Sequence, residues 1–215
     1  MTAVTPRKSG TPQESRANVS ELPAFYNDLD ASLDEAWRLL ERSVDDRDAP
    51  FRTPTLASIG RDGAPVARTV VLRVTSRADA VLQLHTDIRS EKIGEIRREP
   101  RVSLHFYDPR AKVQLRVGGK AVAHIGDAVA LDAWTGSHPD SLAMYRIQPR
   151  PGTPLSRPDE TTIASARDPR DGFENFAAVR IAIRQMEWLY LGARGHRRAL
   201  FDFKTGDPLG RWLAP

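Results

Sequence analysis

From Leu29 onward, apolar side chains recur at helical spacing. Leu33, Trp37, Leu40 and Val44 stand four, three and four apart, which gives a helix one apolar face, and Ser32 with Glu35 has the spacing of a capping box at its start. The polar run Asp45-Asp46-Arg47-Asp48 before Pro50 ends that helix. Short β-branched runs separated by turn residues follow, the pattern of an antiparallel sheet or barrel. Residues 55–59 pair with 66–74 through Arg61-Asp62-Gly63, where glycine supplies the positive φ of a tight hairpin, and 80–86 is a third strand. A short helix over 90–98 stops before Pro100. Strands over 102–107 and 112–124 come next, with Gly118-Gly119 marking a bulge or a close approach of backbones. Residues 127–134 read as helical, and strands return over 177–191 and 199–203, before a tail containing Arg211-Trp212-Leu213. The long stretch 137–172 is rich in Pro, Arg and Asp and has little periodicity, so it is a cover over a site, an arm to a second copy, or a segment without fixed structure.

At 215 residues the chain is expected to be a tail over 1–20, Ser/Thr/Pro-rich and nearly without apolar anchors, followed by one domain over 21–215. With no cysteine, disulfides, thiol nucleophiles and Cys-held metals are excluded. No apolar run approaches the roughly 18 residues of a membrane span, and the expectation is a cytoplasmic protein without a membrane partner. Lys and Arg number 32 against 28 Asp and Glu, a net +4 that points mildly to an anionic partner. Only five of those cations are lysine (8, 92, 112, 120 and 204), so a single arginine match carries little weight. There is no G-x-S-x-G elbow, no phosphate loop ending in Lys-Ser/Thr and no G-x-G-x-x-G turn. The five histidines show neither H-x-H nor H-E-x-x-H spacing, and no metal is expected. The strands lack a cluster of aromatics for base stacking, which argues against nucleic acid. Trp37 and Trp134 sit on apolar stripes and read as core.

The stretch richest in chemistry runs from Arg68 to Lys92. A strand with an arginine at each end, Arg68-Thr-Val70-Val71-Leu-Arg73, is followed by one ending at His85-Thr86, and then by a helix that opens at Arg89-Ser90-Glu-Lys92. Unpaired N–H groups at a helix start, a serine hydroxyl and two cations suit a phosphate. The plainer alternative makes Ser90 an N-cap and the cations a solvated face. Arg68 and Arg73 are five apart, so on a regular strand they face opposite sides; either the strand is bulged or they serve different ligands.

The order of these pieces, with Glu99-Pro100-Arg-Val-Ser-Leu-His-Phe106 and Val113-Gln114-Leu-Arg-Val-Gly-Gly-Lys120 after them, resembles the pyridoxamine 5′-phosphate oxidase family of FMN-binding split β-barrels, as a divergent member. The resemblance covers about residues 50–125. It implies a mainly β fold with peripheral helices (α+β), an antiparallel Greek-key split barrel, and a homodimer in which both copies contribute to each FMN site. It places Arg68 and Lys92 on the FMN phosphate with Arg89 and Ser90 beside them. The strand through Val70, Val71 and Arg73 would lie along the flavin ring, with His85, Thr86 and Gln114 in contact with it. Arg73 and Arg197 are the substrate-side candidates. The family's C-terminal Arg-x-His-Asp-Arg corresponds here to Arg197-Arg198-Ala199-Leu200-Phe201, which lacks the histidine and the last arginine. The residues that grip the vitamer phosphate fall near Trp134, His138 and Leu142. The resemblance therefore implies an FMN-dependent oxidoreductase acting on a small molecule other than pyridoxamine phosphate, or else a non-catalytic flavin carrier.

Overall fold

The computed structural model describes residues 22–204 and 206–215; the tail expected over 1–20 lies outside them. Helix α1 (Leu29–Asp45) forms where the apolar spacing places it, with Leu33, Ala36, Trp37 and Leu40 buried. Its cap differs from the expected box. Asp28 is the N-cap and accepts from the Ala31 N–H at 2.9 Å, whereas the buried Ser32 hydroxyl donates back to the carbonyls of Phe25 and Asp28. The capping box fails because Ser32 already lies inside the helix, on the face turned to the core.

Strands β1 (Thr55–Ile59) and β2 (Pro65–Thr69) form the expected hairpin, with Gly63 at φ 85° in its turn. The single strand expected over 66–74 is in fact two. Val70 and Val71 leave the ladder, the Val70 N–H donates to the Pro54 carbonyl, and β3 (Leu72–Ser76) pairs instead with β4 (Val81–Asp87). Helix α2 (Glu91–Arg98) leads to β5 (Arg101–Asp108) and the long β6 (Val113–His124). Helix α3 (Ala128–Thr135), capped by Asp127, and the short α4 (Pro139–Leu142) open the Pro/Arg-rich excursion, in which β7 (Ile147–Gln148) and β8 (Thr162–Ile163) make a two-stranded ribbon. The chain returns as β9 (Phe176–Tyr190) and β10 (Arg197–Asp202); the expected tail is an edge strand, β11 (Leu209–Leu213).

All pairings are antiparallel. The order β3-β4-β9-β6-β5-β1-β2 brings the two ends of the sheet back to the one stretch of chain that runs from β2 into β3, and so the barrel closes. Along one edge β9 pairs with β6; along the other it pairs first with β4 and then with β10. This change of neighbour between Ala182 and Gln185 splits the barrel. Opposite it the β6 register slips at Gly118-Gly119, the bulge the sequence suggested. A side chain at Gly119 would put a Cβ 2.5 Å from the Ala182 carbonyl oxygen and 2.9 Å from Ile181. The main core fills the barrel under α1, and a second cluster of Ala130, Trp134, Tyr145, Phe176 and Ala178 lies on the outer side of β9. Trp134 donates to the Pro169 carbonyl, and Asn175 to that of Tyr145, which pins the excursion at both ends.

Gly119→Ala is expected to lower unfolding stability by about 1–3 kcal/mol, the range for forced overpacking, while Gly118→Ala, which meets only the flexible Gln185 side chain at 3.1 Å, should cost less. Urea denaturation of both variants checks the order.

Candidate functional site

The residues singled out between 68 and 92 fall into two groups on opposite faces of β4. Leu82, Leu84 and Thr86 alternate inward, whereas Gln83, His85 and Asp87 look outward against α3 and the excursion.

The inner group is a polar cluster at the start of α2. Arg68 donates to Ser58 Oγ and, at 2.6 Å, to Glu95 Oε2, which also accepts from Ser58. Glu95 is buried, so this ion pair fixes the Arg68 guanidinium. Lys92 donates to Thr86 Oγ1 at 3.0 Å and pairs with no carboxylate among the described residues. Desolvation, reinforced by the Arg68 charge, pulls its ammonium below the ordinary lysine range. Ser90 is the N-cap residue, yet its hydroxyl donates to the Asp87 carbonyl at 2.6 Å and leaves the first N–H groups of α2 without a side-chain cap. Arg89 stays out of the cluster. It makes a two-pronged pair with Asp87 and donates to the Ile147 carbonyl at 3.1 Å, so it ties the excursion to the barrel.

The outer group lines a cleft of about 580 Å³ that includes Arg73, Gln83, His85, Ser137, Arg52 and Arg180. Arg73 gets there because the β3–β4 register slips between Leu72 and Val74, leaving it as the extra residue of a bulge. Arg68 and Arg73 thus lie on separate strands, β2 and β3, and face different spaces. Val71 lines an adjoining hollow with Arg47, Arg52 and Arg73, while Val70 packs on the core. His85 meets Phe176 edge-on at 4.9 Å, and burial together with the Arg73 charge lowers its pKa to about 4. Burial likewise pushes Tyr145 up to about 12.

Two candidates stand apart from both groups. Gln114 lies on the outer side of β6 between Tyr107 and Leu189, and Arg197 sits 4.0 Å over the Tyr26 ring and donates to Asn27. Arg52, Gln83 and Arg180 were not singled out from sequence. The usable signal for Arg180 was its outward place between Val179 and Ile181 in an alternating strand. Among the described residues, no three His, Asp or Glu side chains gather to hold a metal, and no helix is long and apolar enough to cross a membrane.

Residues 34–125, which carry the inner cluster, match the family model described as pyridoxamine 5′-phosphate oxidase, FMN-binding domain. That segment of the chain is similar to this family's FMN-binding domain. A pyridoxine/pyridoxamine 5′-phosphate oxidase of Chromobacterium violaceum is 37% identical over 84 residues, 39% of this chain and 38% of the relative. Pyridoxine/pyridoxamine 5′-phosphate oxidase 2 of Arabidopsis thaliana is 31% identical over 124 residues, 54% of this chain and 62% of the relative. The chain thus spans less than two thirds of either curated relative. The crystal structure of a pyridoxamine 5′-phosphate oxidase-related, FMN binding protein from Nostoc punctiforme superposes with a TM-score of 0.70 at 22% identity, over 91% of this chain and all of that one. That likeness establishes the fold, a split β-barrel.

The His85 shift has a consequence for stability. Its unfolded value is near 6.5 and its folded value about 4, so its contribution is complete above about pH 6.5 and is lost as pH falls toward 4. Between pH 7 and 4.5 the protein should lose about 2 kcal/mol more than a His85→Gln variant, read from urea unfolding at the two pH values.

Proposed function

We propose that the protein is a flavin-dependent oxidoreductase that binds FMN and moves a hydride between it and a small molecule, acting as a cytoplasmic homodimer. The observation that carries this reading is Lys92, a half-buried ammonium whose only polar partner among the described residues is a hydroxyl, set beside Arg68 at the start of α2 within the matched segment. Such a cation wants an anion, and a phosphate ester supplies one. The donor set fits: Lys92 and Arg68 would bind the phosphate, with Thr86, Ser90 and the first N–H groups of α2 directed toward its oxygens. Glu95 holds the Arg68 guanidinium in place and offsets one of the two cations, which leaves Lys92 as the uncompensated one. FMN, when bound, supplies a two-electron hydride acceptor; the chain supplies position and electrostatics.

Gln114 and Arg197 lie away from the inner cluster within one chain, and a homodimer that shares its sites is the arrangement that would bring them to it. The substrate is a small molecule other than pyridoxamine phosphate. Ala199 and Phe201, standing where the family's histidine and last arginine would be, are buried in the core and offer a ligand no polar atom. The same observation favours a second reading, a flavin-binding protein without turnover. Anaerobic bleaching of the bound flavin by a candidate donor, followed by its return in air, separates the two.

The purified protein should be yellow and release FMN on heating; a colourless protein that takes up no FMN removes the reading. Lys92→Gln should weaken FMN binding by about 1–3 kcal/mol in a fluorescence titration, as for a lost charge-assisted hydrogen bond. Arg68→Ala should do the same with added loss of stability, because it strands the buried Glu95.

A further inference from the structure

Thr86 to Ser90 make the tight turn between β4 and α2, and the two sides of this turn meet different parts of the molecule. On the inner side Thr86 Oγ1 accepts from Lys92, and Ser90 Oγ lies 3.4 Å from it. The Asp87 carbonyl accepts both the Ser90 hydroxyl, at 2.6 Å, and the Ser90 N–H, at 3.1 Å. On the outer side the Ile88 N–H donates to the Asn175 carbonyl at 2.8 Å, and Arg89 donates to that of Ile147 at 3.1 Å. The Asp87 carboxylate braces the turn between these sides. It accepts the Arg89 N–H at 2.8 Å and the Arg89 guanidinium at 2.6 and 3.0 Å, and both side chains are largely buried. With its charge compensated in this way, Arg89 acts as a tether to the excursion.

Ile147 lies on the outgoing limb of the excursion and Asn175 on the returning one, so one turn grips both. The limbs also grip each other. Asn175 Nδ2 donates to the Tyr145 carbonyl at 2.8 Å, and the buried Gly172, at φ 96°, passes so close that a Cβ there would lie 2.9 Å from Arg146 Cγ. Beyond this neck the chain is an arm, residues 148–171. Its residues 154–170 are all exposed, and its anchors are the Trp134–Pro169 bond, the Arg146–Ala164 bond and the short β7–β8 ribbon. A segment with so little buried surface has little stability of its own, and its docking depends on the neck.

We propose that the Asp87-Ile88-Arg89 turn is a strap that couples occupancy of the inner cluster by a phosphate ester to docking of the arm, with Arg89 as the positioning residue. The proposal rests on the flavin reading above for the identity of the ester, and inorganic phosphate probes the same coupling without a flavin. An anion held by Lys92, the Ser90 hydroxyl and the first N–H groups of α2 removes freedom from the turn. An arm that docks on a turn already ordered gives up less entropy in doing so. The coupling is reciprocal, so loosening the arm weakens the phosphate by the factor by which the phosphate tightens the arm. Loaded and empty protein therefore differ at the exposed arm.

The test is amide hydrogen exchange of the full chain, empty and with FMN, riboflavin or inorganic phosphate, with β5 and β6 as internal reference. FMN and phosphate should slow exchange over 146–175 about tenfold, and riboflavin, which has no phosphate, should not. Arg89→Lys, which keeps the charge but not the fork that reaches Asp87 and Ile147 together, should abolish this protection. Asn175→Ala, in the neck, should weaken FMN about tenfold and leave riboflavin affinity unchanged, whereas a merely structural loss would weaken both flavins alike. Asp87→Asn separates a strap from a direct phosphate ligand. It removes a negative charge and frees Arg89, so FMN affinity rises if Arg89 itself binds the phosphate and falls if Arg89 acts through the arm. Exchange over 146–175 that is the same in empty, phosphate-loaded and FMN-loaded protein overturns the proposal, as does unchanged FMN affinity in Asn175→Ala or a rise in Asp87→Asn. If FMN fails to bind the unaltered protein while phosphate protects the arm through Arg89, the flavin reading falls and the strap stands.

Discussion

Strand β9 has three neighbours and only two edges, and most of the molecule is arranged around that fact. It satisfies β6 along its whole length and divides its other edge between β4 and β10. For the division to occur, β6 must let β9 bend, and it does so where two glycines allow the backbones to meet. The first half of β9 then carries Phe176 and Ala178 outward to the second aromatic cluster, and Arg180 to the cleft. The second half instead holds β10 and, through it, β11. The two faces of β4 inherit this geometry: one closes the barrel and the other becomes the wall of a cleft.

Charge is distributed with the same economy. A chain with an arginine excess must either pair its guanidinium groups or leave them for solvent or a ligand. Here the inner cluster pairs Arg68 with Glu95, the excursion is tethered by the Asp87–Arg89 pair, and the barrel's outer side carries Arg116 and Arg198 on Glu187. Many exposed cations among the described residues have no such partner; Lys92 on one face of β4 and Arg73 on the other are set apart by burial, which pulls both below their ordinary ranges.

Much of this was legible in the sequence. The α1 stripe, the Gly63 hairpin, the Gly118-Gly119 bulge, the burial of Trp37 and Trp134 and the nearness of Arg68 to Lys92 follow from local pattern together with family order. The break at Val70-Val71 was not legible, because it has no Gly or Pro to announce it and both residues favour extended backbone. What creates it is tertiary: β2 and β3 belong to opposite ends of a closing sheet. The cleft was hidden for a related reason. Gln83 and Arg180 are 97 residues apart and meet only through the β4–β9 register, and in a chain with so many arginines no single one stands out.

The shared edge of β9 also bears on how the molecule assembles. The β1–β2, β3–β4 and β5–β6 pairs and the β9–β10–β11 meander are local in sequence and can form early. The β1–β5 pairing joins two of these hairpins without β9, whereas the pairings of β9 with β4 and with β6, which bring in the β3–β4 pair and the meander, span the excursion between β6 and β9. Before β9 arrives, the β3–β4 pair lacks its second neighbour and both faces of β4 are only half built. The barrel, the inner cluster and the cleft therefore arise in the same late step, so a lesion in the excursion can delay the formation of a site it never touches.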